Sequence, residues 1–401
     1  MSPRGALTGC AWRAVVVLAL AAGLAACSNR SSGPGSTRPA PPSTHVPLTA
    51  TVTTASGAVA VVAMGTLADP HDTFWQVFFR ASAATPWKVV TPPGVADNGG
   101  LVVHASPGVG SPDVLAGFEP SQALAFSPIA LSVDQGRSWT PGIVQGGLAP
   151  VPDALSGGPT SGSDSVALVR NAGGEVLGGT ATSSIGSKVV DRAAMATSAA
   201  GRSCEVGALT AVAVDAAGTL VGTTCASPGV VGIFGRSGGA WRQVGPRFAG
   251  RSASDATKVV RLVEVDGVTN GLVALRMGST TGLMGVAGTR GGAWSRSGPL
   301  LLGGGDRILS TGVEARGGFV VLVQRSGGSL ALDNETGPGG AWQVLPAPPR
   351  GTAAVVVGSG GVVDALSVAS TRLTDHRLDA ATASWANIGT VTVPIQFGSS
   401  S

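Results

Sequence analysis

Eleven carboxylates occupy positions from which acid–base or glycosidic chemistry could be run: Asp72, Asp113, Glu119, Asp164, Glu175, Asp191, Glu264, Asp266, Glu314, Asp364 and Asp375. Hydrolysis of a glycosidic bond needs two of them across a cleft, one to protonate the leaving oxygen and one to attack or to activate water. Most stand beside turn-forming residues, where a cap on a backbone amide or contact with solvent accounts for them. No spacing singles out a pair. The four histidines, His45, His71, His104 and His376, are far apart. Asp69-Pro70-His71-Asp72 and Thr374-Asp375-His376 set a carboxylate beside an imidazole, as a ligand histidine would need, but nothing nearby completes a metal set. Residues 157–163 form a Gly/Ser loop, not a serine nucleophile elbow. The glycines at 303–305 lack the Lys-Ser/Thr ending of a phosphate loop. Neither a metal nor a cofactor is expected.

The elements that must carry these residues announce themselves through tryptophan. Trp87, Trp139, Trp241, Trp294, Trp342 and Trp385 recur at gaps of 52, 102, 53, 48 and 43 residues, each just after a glycine-containing turn or close to one. The long gap spans about two repeats. Within it, Ala199-Ala200-Gly201-Arg202-Ser203-Cys204 copies Asp134-Gln135-Gly136-Arg137-Ser138-Trp139, with cysteine where tryptophan is due. A period near fifty points to a radial or stacked array. Counting Cys204 makes seven landmarks.

Each repeat reads as four short strands. Leu209 to Val214, Thr219 to Cys225, Val230 to Phe234 and Ala240 to Val244 are apolar or β-branched runs separated by turn residues. The same anatomy recurs at 259–265, 272–277, 283–287 and 293–296, at 307–313, 319–324, 329–332 and 341–345, and at 353–357, 362–368, 372–378 and 384–388. No long amphipathic helix interrupts them. The expected fold is therefore all-β, a β-propeller of four-stranded antiparallel blades closing at seven, with six or eight as alternatives. The tail Thr390 to Phe397 is expected to pair with the blade at 48–90 and lock the ring. Phe74, Trp75, Phe78 and Phe79 concentrate aromatics in one strand, with Phe74 and Phe78 on one face and Trp75 and Phe79 on the other. Burial between blades is expected for them.

The segment Ser132-Val133-Asp134-Gln135-Gly136-Arg137-Ser138-Trp139 resembles the Asp-box, the Ser-x-Asp-x-Gly-x-Thr-Trp hairpin of sialidase-type propellers, with Ser138 in place of Thr. Ser132, Asp134, Gly136 and Trp139 carry the likeness. Gly238-Gly239-Ala240-Trp241, Gly291-Gly292-Ala293-Trp294 and Gly339-Gly340-Ala341-Trp342 keep its glycine and tryptophan and lose its aspartate. The resemblance implies a scaffold, since that family does not use the Asp-box in catalysis. It also implies a test: sialidases employ a tyrosine nucleophile, and this chain has no tyrosine. The arginine triad of such enzymes cannot be assigned either, because Arg170, Arg261, Arg276 and Arg316 are scattered and read as solvated charges.

The first 26 residues read as a secretion signal, with Arg4 and Arg13 ahead of an apolar run, and Leu24-Ala25-Ala26-Cys27 resembles a bacterial lipobox in which Cys27 carries lipid. Residues 27–46 then read as a Ser/Pro/Gly tether and 47–401 as one propeller domain. Removal of Arg4 and Arg13 leaves 24 basic against 22 acidic residues, which argues against nucleic-acid partners. Cys10 leaves with the signal, so Cys204 and Cys225 are expected to form a disulfide linking adjacent blades. The partners expected are the membrane, through the lipid, and an envelope protein or glycan. The function this suggests is a non-catalytic binding or assembly module on the extracytoplasmic face of the cell membrane. The alternative is a glycoside hydrolase, which predicts a deep, acid-lined central cleft.

Overall fold

The computed structural model describes residues 43–52, 58–66, 73–95, 100–106, 113–118, 129–142, 153–157, 166–170, 187–215, 217–237, 239–248 and 256–394. Expectations for Cys27, the signal and most of the tether lie outside these residues. Strands β1 (Ser43–Val52), β2 (Val59–Thr66), β3 (Thr73–Arg80) and β4 (Lys88–Val89) form an antiparallel meander. β5 (Leu101–Ser106), β6 (Asp113–Phe118), β7 (Ile129–Ser132) and β8 (Thr140–Gly142) form a second. A three-stranded sheet follows, in which β9 (Ala154–Gly157) is antiparallel and β11 (Ser187–Asp191) parallel to the central β10 (Val166–Arg170). Two short helices, α1 (Arg192–Thr197) and α2 (Ala199–Cys204), lead out of it.

The remaining chain is meander after meander: β12 (Val206–Asp215), β13 (Gly218–Cys225), β14 (Ile233–Ser237) and β15 (Ala240–Gln243), then β16 (Thr257–Val265), β17 (Val268–Met277), β18 (Thr280–Gly288) and β19 (Trp294–Arg296). These two groups join edgewise where Thr224 and Cys225 pair with Lys258 and Thr257, and β20 (Leu300–Leu302) adds to β18. β21 (Arg307–Val313), β22 (Phe319–Gln324), β23 (Leu330–Glu335) and β24 (Trp342–Leu345) follow, then β25 (Thr352–Val357), β26 (Val363–Ala369), β27 (Arg372–Asp379) and β28 (Ser384–Thr392). The fold is all-β and propeller-like. First strands pack on first strands in succession, β1 on β5, β5 on β9, β9 on β12, β12 on β16 and β21 on β25, and β25 packs back on β1. β12, β16, β21 and β25 each carry a bulge or register shift in their pairing with the next strand. Beside them Thr210 Oγ1 donates to the Val259 carbonyl at 2.6 Å, Arg261 to the Thr311 carbonyl at 3.2 Å, and the Val355 amide to Ser310 Oγ at 3.2 Å.

The strands are apolar on both faces because both faces are covered. Phe319, Val321 and Val323 pack toward Leu272 and Leu283, while the alternate residues Val320 and Leu322 pack toward Val355 and Val363. Period-two alternation thus sends one strand into two cores. In β3, Phe74 and Phe78 enter the core shared with Ala354, Val356 and Leu366, and Phe79 enters the core shared with Leu101 and Phe118, with Trp75 half-buried against it. The expected split of the aromatics is what the fold uses.

Several expectations are corrected. Cys204 does not head a fourth strand like its tryptophan counterparts. Asp191 accepts from the Ala193 and Ala194 amides, Ser198 from the Gly201 amide, and these two caps turn the segment into α1 and α2. Gly201 is needed there because a Cβ would run into the Met195 carbonyl. The Gly-Arg-Ser copy is therefore helical, and glycine serves close approach in one copy and a positive φ of 81° at Gly136 in the other. Cys204 and Cys225 are bonded, with Cα atoms 5.0 Å apart, tying the end of α2 to β13 across a separation of 21 residues. A loop of that size is worth about 3 kcal/mol in chain entropy. The tail pairs within its own meander, Thr390 opposite Thr374 and Thr392 opposite Arg372, instead of with β1–β4. Beyond this pairing, Val391 and Val393 pack on the core shared with Phe74, and Gln76 Nε2 donates to the Pro394 carbonyl at 3.0 Å; residues 395–397 of the expected tail lie outside the described residues. β1 begins at Ser43, inside the stretch read from composition as tether. The third strand expected at 230–234 is displaced to Ile233–Ser237.

What joins the first meander to the last is an ion cluster. Arg80, 2% exposed at the end of β3, donates Nη2 to Asp364 and Nη1 to Asp375, each at 2.6 Å. Arg377 grips the other side of Asp364 at 2.8 Å and donates to the Ala83 carbonyl at 2.9 Å. Removing one partner from a buried pair strands the remaining charge, which costs about 3–5 kcal/mol. Arg80→Met is expected to lower unfolding free energy by about that amount in urea titrations. Leu301→Ser, at a residue 57% exposed, is expected to change it by less than about 0.5 kcal/mol.

Candidate functional site

The hairpin between β7 and β8 is the one with a complete Ser-x-Asp-x-Gly pattern, and its side chains are spent on its own turn. Ser132 Oγ donates to Asp134 at 2.8 Å and accepts from the Gly136 amide at 2.6 Å. Asp134 also accepts from the Ser138 amide at 2.9 Å and from the Ser138 hydroxyl at 2.6 Å. Those Ser138 and Ser132 bonds hold the Asp134 carboxyl down to about 2. It is an acceptor locked in a turn and has no proton to give.

The tryptophans sit where the repeat predicts, at or just before the outermost strand of each meander, and all six are half-buried. Trp87 Nε1 donates to Asp375 at 2.8 Å, and its ring lies 4.7 Å from the Arg80 guanidinium. Trp342 Nε1 donates to the Gly298 carbonyl at 2.9 Å. Trp139 and Trp385 pack against hydrophobic clusters. Trp241 packs likewise, with the Arg236 guanidinium 6.0 Å from its ring. Their role is to cover hairpins.

Of the described carboxylates, most are held by arginines and amides. Asp364 and Asp375 do meet, but around Arg80, and burial together with Asp364 pushes the Asp375 carboxyl up. Asp215 holds Arg290 through two bonds of 2.8 and 3.0 Å, and Asp306 holds Arg325 at 3.0 Å. Asp191 caps α1, Asp266 stands in a turn at φ 50°, and burial raises Glu264 and Glu314. Asp72, Glu119, Asp164 and Glu175 lie outside the described residues, and of Asp113 only the backbone is described. Among the described residues no cluster of three or more His, Cys, Asp or Glu could hold a metal.

Arg261 of β16 and His104 of β5 come within electrostatic reach, and burial followed by Arg261 lowers His104 to about 4. Burial also lowers Arg261, to about 10, which leaves it charged at neutral pH. The reading of Arg261 as a solvated charge is thus wrong: it bonds the next meander. Arg276 and Arg316 are exposed, as expected, and of Arg170 only the backbone is described.

Open space lies between the β12–β15 and β16–β19 meanders, at opposite ends of their strands. One cleft of about 400 Å³ is lined by Glu205, Thr224, Cys225, Lys258, Arg276 and Thr280. The other, about 750 Å³, is lined by Arg236, Arg242, Gln243, Arg290, Gly291 and Trp294, among others. Sequence reasoning missed the second cleft because its arginines come from three separate turns and strands. The available signal was the recurrence of Arg beside the Gly-Gly-Ala-Trp turns, at Arg236, Arg242 and Arg290.

Asp333, Glu335 and Asp375 each keep a buried carboxyl oxygen without a hydrogen-bond partner, and of the three only Glu335 has no guanidinium on its carboxyl. Glu335 ends β23 against the β16–β19 meander, where Gly285 has no room for a side chain because a Cβ would overlap the Glu335 carboxyl. Its Oε1 accepts from the Gly339 amide at 2.9 Å, and its Oε2 has no hydrogen-bond partner. Burial raises this carboxyl to about 7, against the pull of the Gly339 and Phe319 amides and with the push of Glu314. A folded value above the unfolded one means that its stabilisation is complete below about pH 4.5 and is lost as pH rises through 7. Glu335→Gln is expected to match the wild type in thermal midpoint at pH 5 and to exceed it at pH 8.5.

No family model matches the chain, and no curated protein matches it. Among the solved structures that resemble it distantly are two lectins and AofleA. A mutant of the Aleuria aurantia lectin AAL, in complex with Fucα1-6GlcNAc, is 10% identical over 87% of this chain and 96% of the lectin, with a TM-score of 0.40. The SapL1 lectin in complex with α-methyl fucoside is 12% identical over 88% of this chain and 97% of its own, with a TM-score of 0.39. AofleA from Arthrobotrys oligospora is 10% identical over 88% and 92%, with a TM-score of 0.36. Likenesses this distant leave the family of the chain open.

Proposed function

We propose that this protein is a non-catalytic carbohydrate-binding module, a seven-bladed propeller of Asp-box type held by a lipid on Cys27 at the extracytoplasmic face of a bacterial membrane. The observation that carries the non-catalytic part is the fate of the acids. Asp364, Asp375, Asp215 and Asp306 are bound by guanidinium groups, and Asp134 and Asp191 by backbone amides. Two-carboxylate hydrolysis needs one acid free to give a proton and another free to attack or to activate water. Among the described residues, Arg261 and His104, which come within electrostatic reach where the first strands converge, are not acids: Arg261 stays a cation and burial holds His104 neutral.

Six four-stranded meanders and one three-stranded sheet support the blade number, and the turn at Ser132 to Trp139 supports the Asp-box likeness. Support for anchoring comes from Leu24-Ala25-Ala26-Cys27 behind a charged and apolar leader. The open clefts between meanders offer the binding surface, since pockets of a few hundred cubic ångströms with a few convergent polar groups are what small ligands occupy.

Two measurements test the reading. Full-length protein incubated with a glycan panel is expected to retain bound glycan at its original chain length by mass spectrometry, and release of shorter products would establish the hydrolase instead. In cell fractionation, Cys27→Ser is expected to move the protein from the membrane to the soluble fraction.

A further inference from the structure

The larger cleft is built from cations without acids. Three guanidinium groups line it, those of Arg236, Arg242 and Arg290, and no carboxylate does. Arg290 is fixed from behind: Asp215 takes Nε and Nη2, and the Gly218 and Thr219 carbonyls accept from Nη2 at 2.9 and 3.2 Å. Its Nη1 spends one hydrogen on the Arg236 carbonyl at 3.2 Å, and a guanidinium nitrogen of this type carries two. The space in front of that nitrogen is open because residue 235 is glycine; a Cβ there would stand 3.1 Å from it. Arg236 and Arg242 are exposed and make no ion pair among the described residues. Asp215 and Glu264, the acids in electrostatic reach of this corner, lie outside the lining.

The rest of the lining suits a sugar. Gln243 spends its Nε2 on the Val231 and Gly245 carbonyls at 3.4 and 2.9 Å, which orients the amide and leaves Oε1 as a fixed acceptor for a hydroxyl. Trp294 is half-buried and contributes an apolar surface beside the glycine turn. We propose that this cleft, resting on the carbohydrate-binding reading above, binds an acidic saccharide, its carboxylate or phosphate placed among Arg236, Arg242 and the anchored Arg290. Guanidinium groups pair with planar and tetrahedral oxyanions through parallel N–H bonds, which a neutral sugar cannot return.

The test uses full-length protein in detergent against three immobilised ligands: a uronic-acid polymer, a sugar-phosphate polymer and a neutral polymer of matched length. Binding of one or both acidic polymers is expected, weakened at high salt, with the neutral polymer bound at least tenfold less. The two acidic arms tell carboxylate from phosphate. Arg236→Glu and Arg242→Glu, both at exposed positions, are expected to lose about tenfold or more with unchanged thermal midpoints, and Arg242→Gln to lose less than Arg242→Glu. Acidic polymers bound equally well by these variants would overturn the cleft as their site. Neutral and acidic polymers bound alike would overturn the acidic preference while leaving carbohydrate binding intact. Binding to none of a wider glycan panel would overturn both.

Discussion

The constraint on which this structure depends is the clasp of Arg80 between Asp364 and Asp375, residues almost three hundred positions away. Most contacts between the other meanders run from one meander to the next along the chain, so their loop-closure cost is small. The junction of β1–β4 with β25–β28 must be paid for across the whole chain. A cluster of Phe74, Phe78, Val356 and Leu366 supplies area there, and the ion cluster supplies direction, because buried charges tolerate few alternative geometries. Trp87 completes the shell by donating to Asp375 while lying beside Arg80.

The same device recurs in weaker form. Arg290 reaches from the β18–β19 turn back to Asp215 at the end of β12, as Arg80 reaches from the end of β3 to Asp364 in the second strand of the preceding meander. Between β16–β19 and β21–β24 the corresponding position holds Glu335 with no arginine on it, only amides. That junction carries an uncompensated proton equilibrium where the other two carry ion pairs. Of the two ion-paired junctions, the Arg80 clasp is the more buried, with Arg80 and both its carboxylates almost fully covered while Arg290 and Asp215 keep some exposure.

Using acids as clasps shapes what the molecule can do. Carboxylates tied to guanidinium groups cannot trade protons with a substrate at neutral pH. The clefts between the β12–β15 and β16–β19 meanders are lined by Arg236, Arg242 and Arg290 at one end, and by Glu205, Lys258, Arg276 and the hydroxyls of Thr224 and Thr280 at the other.

How much of this could be read without coordinates depends on the range of the interaction. The outer tryptophans, the strands Arg307–Val313 and Phe319–Gln324, and the opposite faces of Phe74 and Phe79 follow from turn chemistry and two-residue alternation, which act over a few positions. The Ser132 to Trp139 turn is legible for the same reason, since all its bonds lie within four residues. Composition could not foresee that Ser198 and Asp191 would cap helices where a fourth strand was due, because the Gly-Arg-Ser sequence serves either geometry and its packing decides. Nor could it say that Asp364 and Asp375 share Arg80, that Arg261 bonds the next meander, or that Arg236, Arg242 and Arg290 line one cleft. The sequence alone determined the repeating strands, whose alternation and turns are local. Tertiary structure alone decided which charges meet, because pairing between distant residues is set by how sheets stack and leaves no periodic trace along the chain.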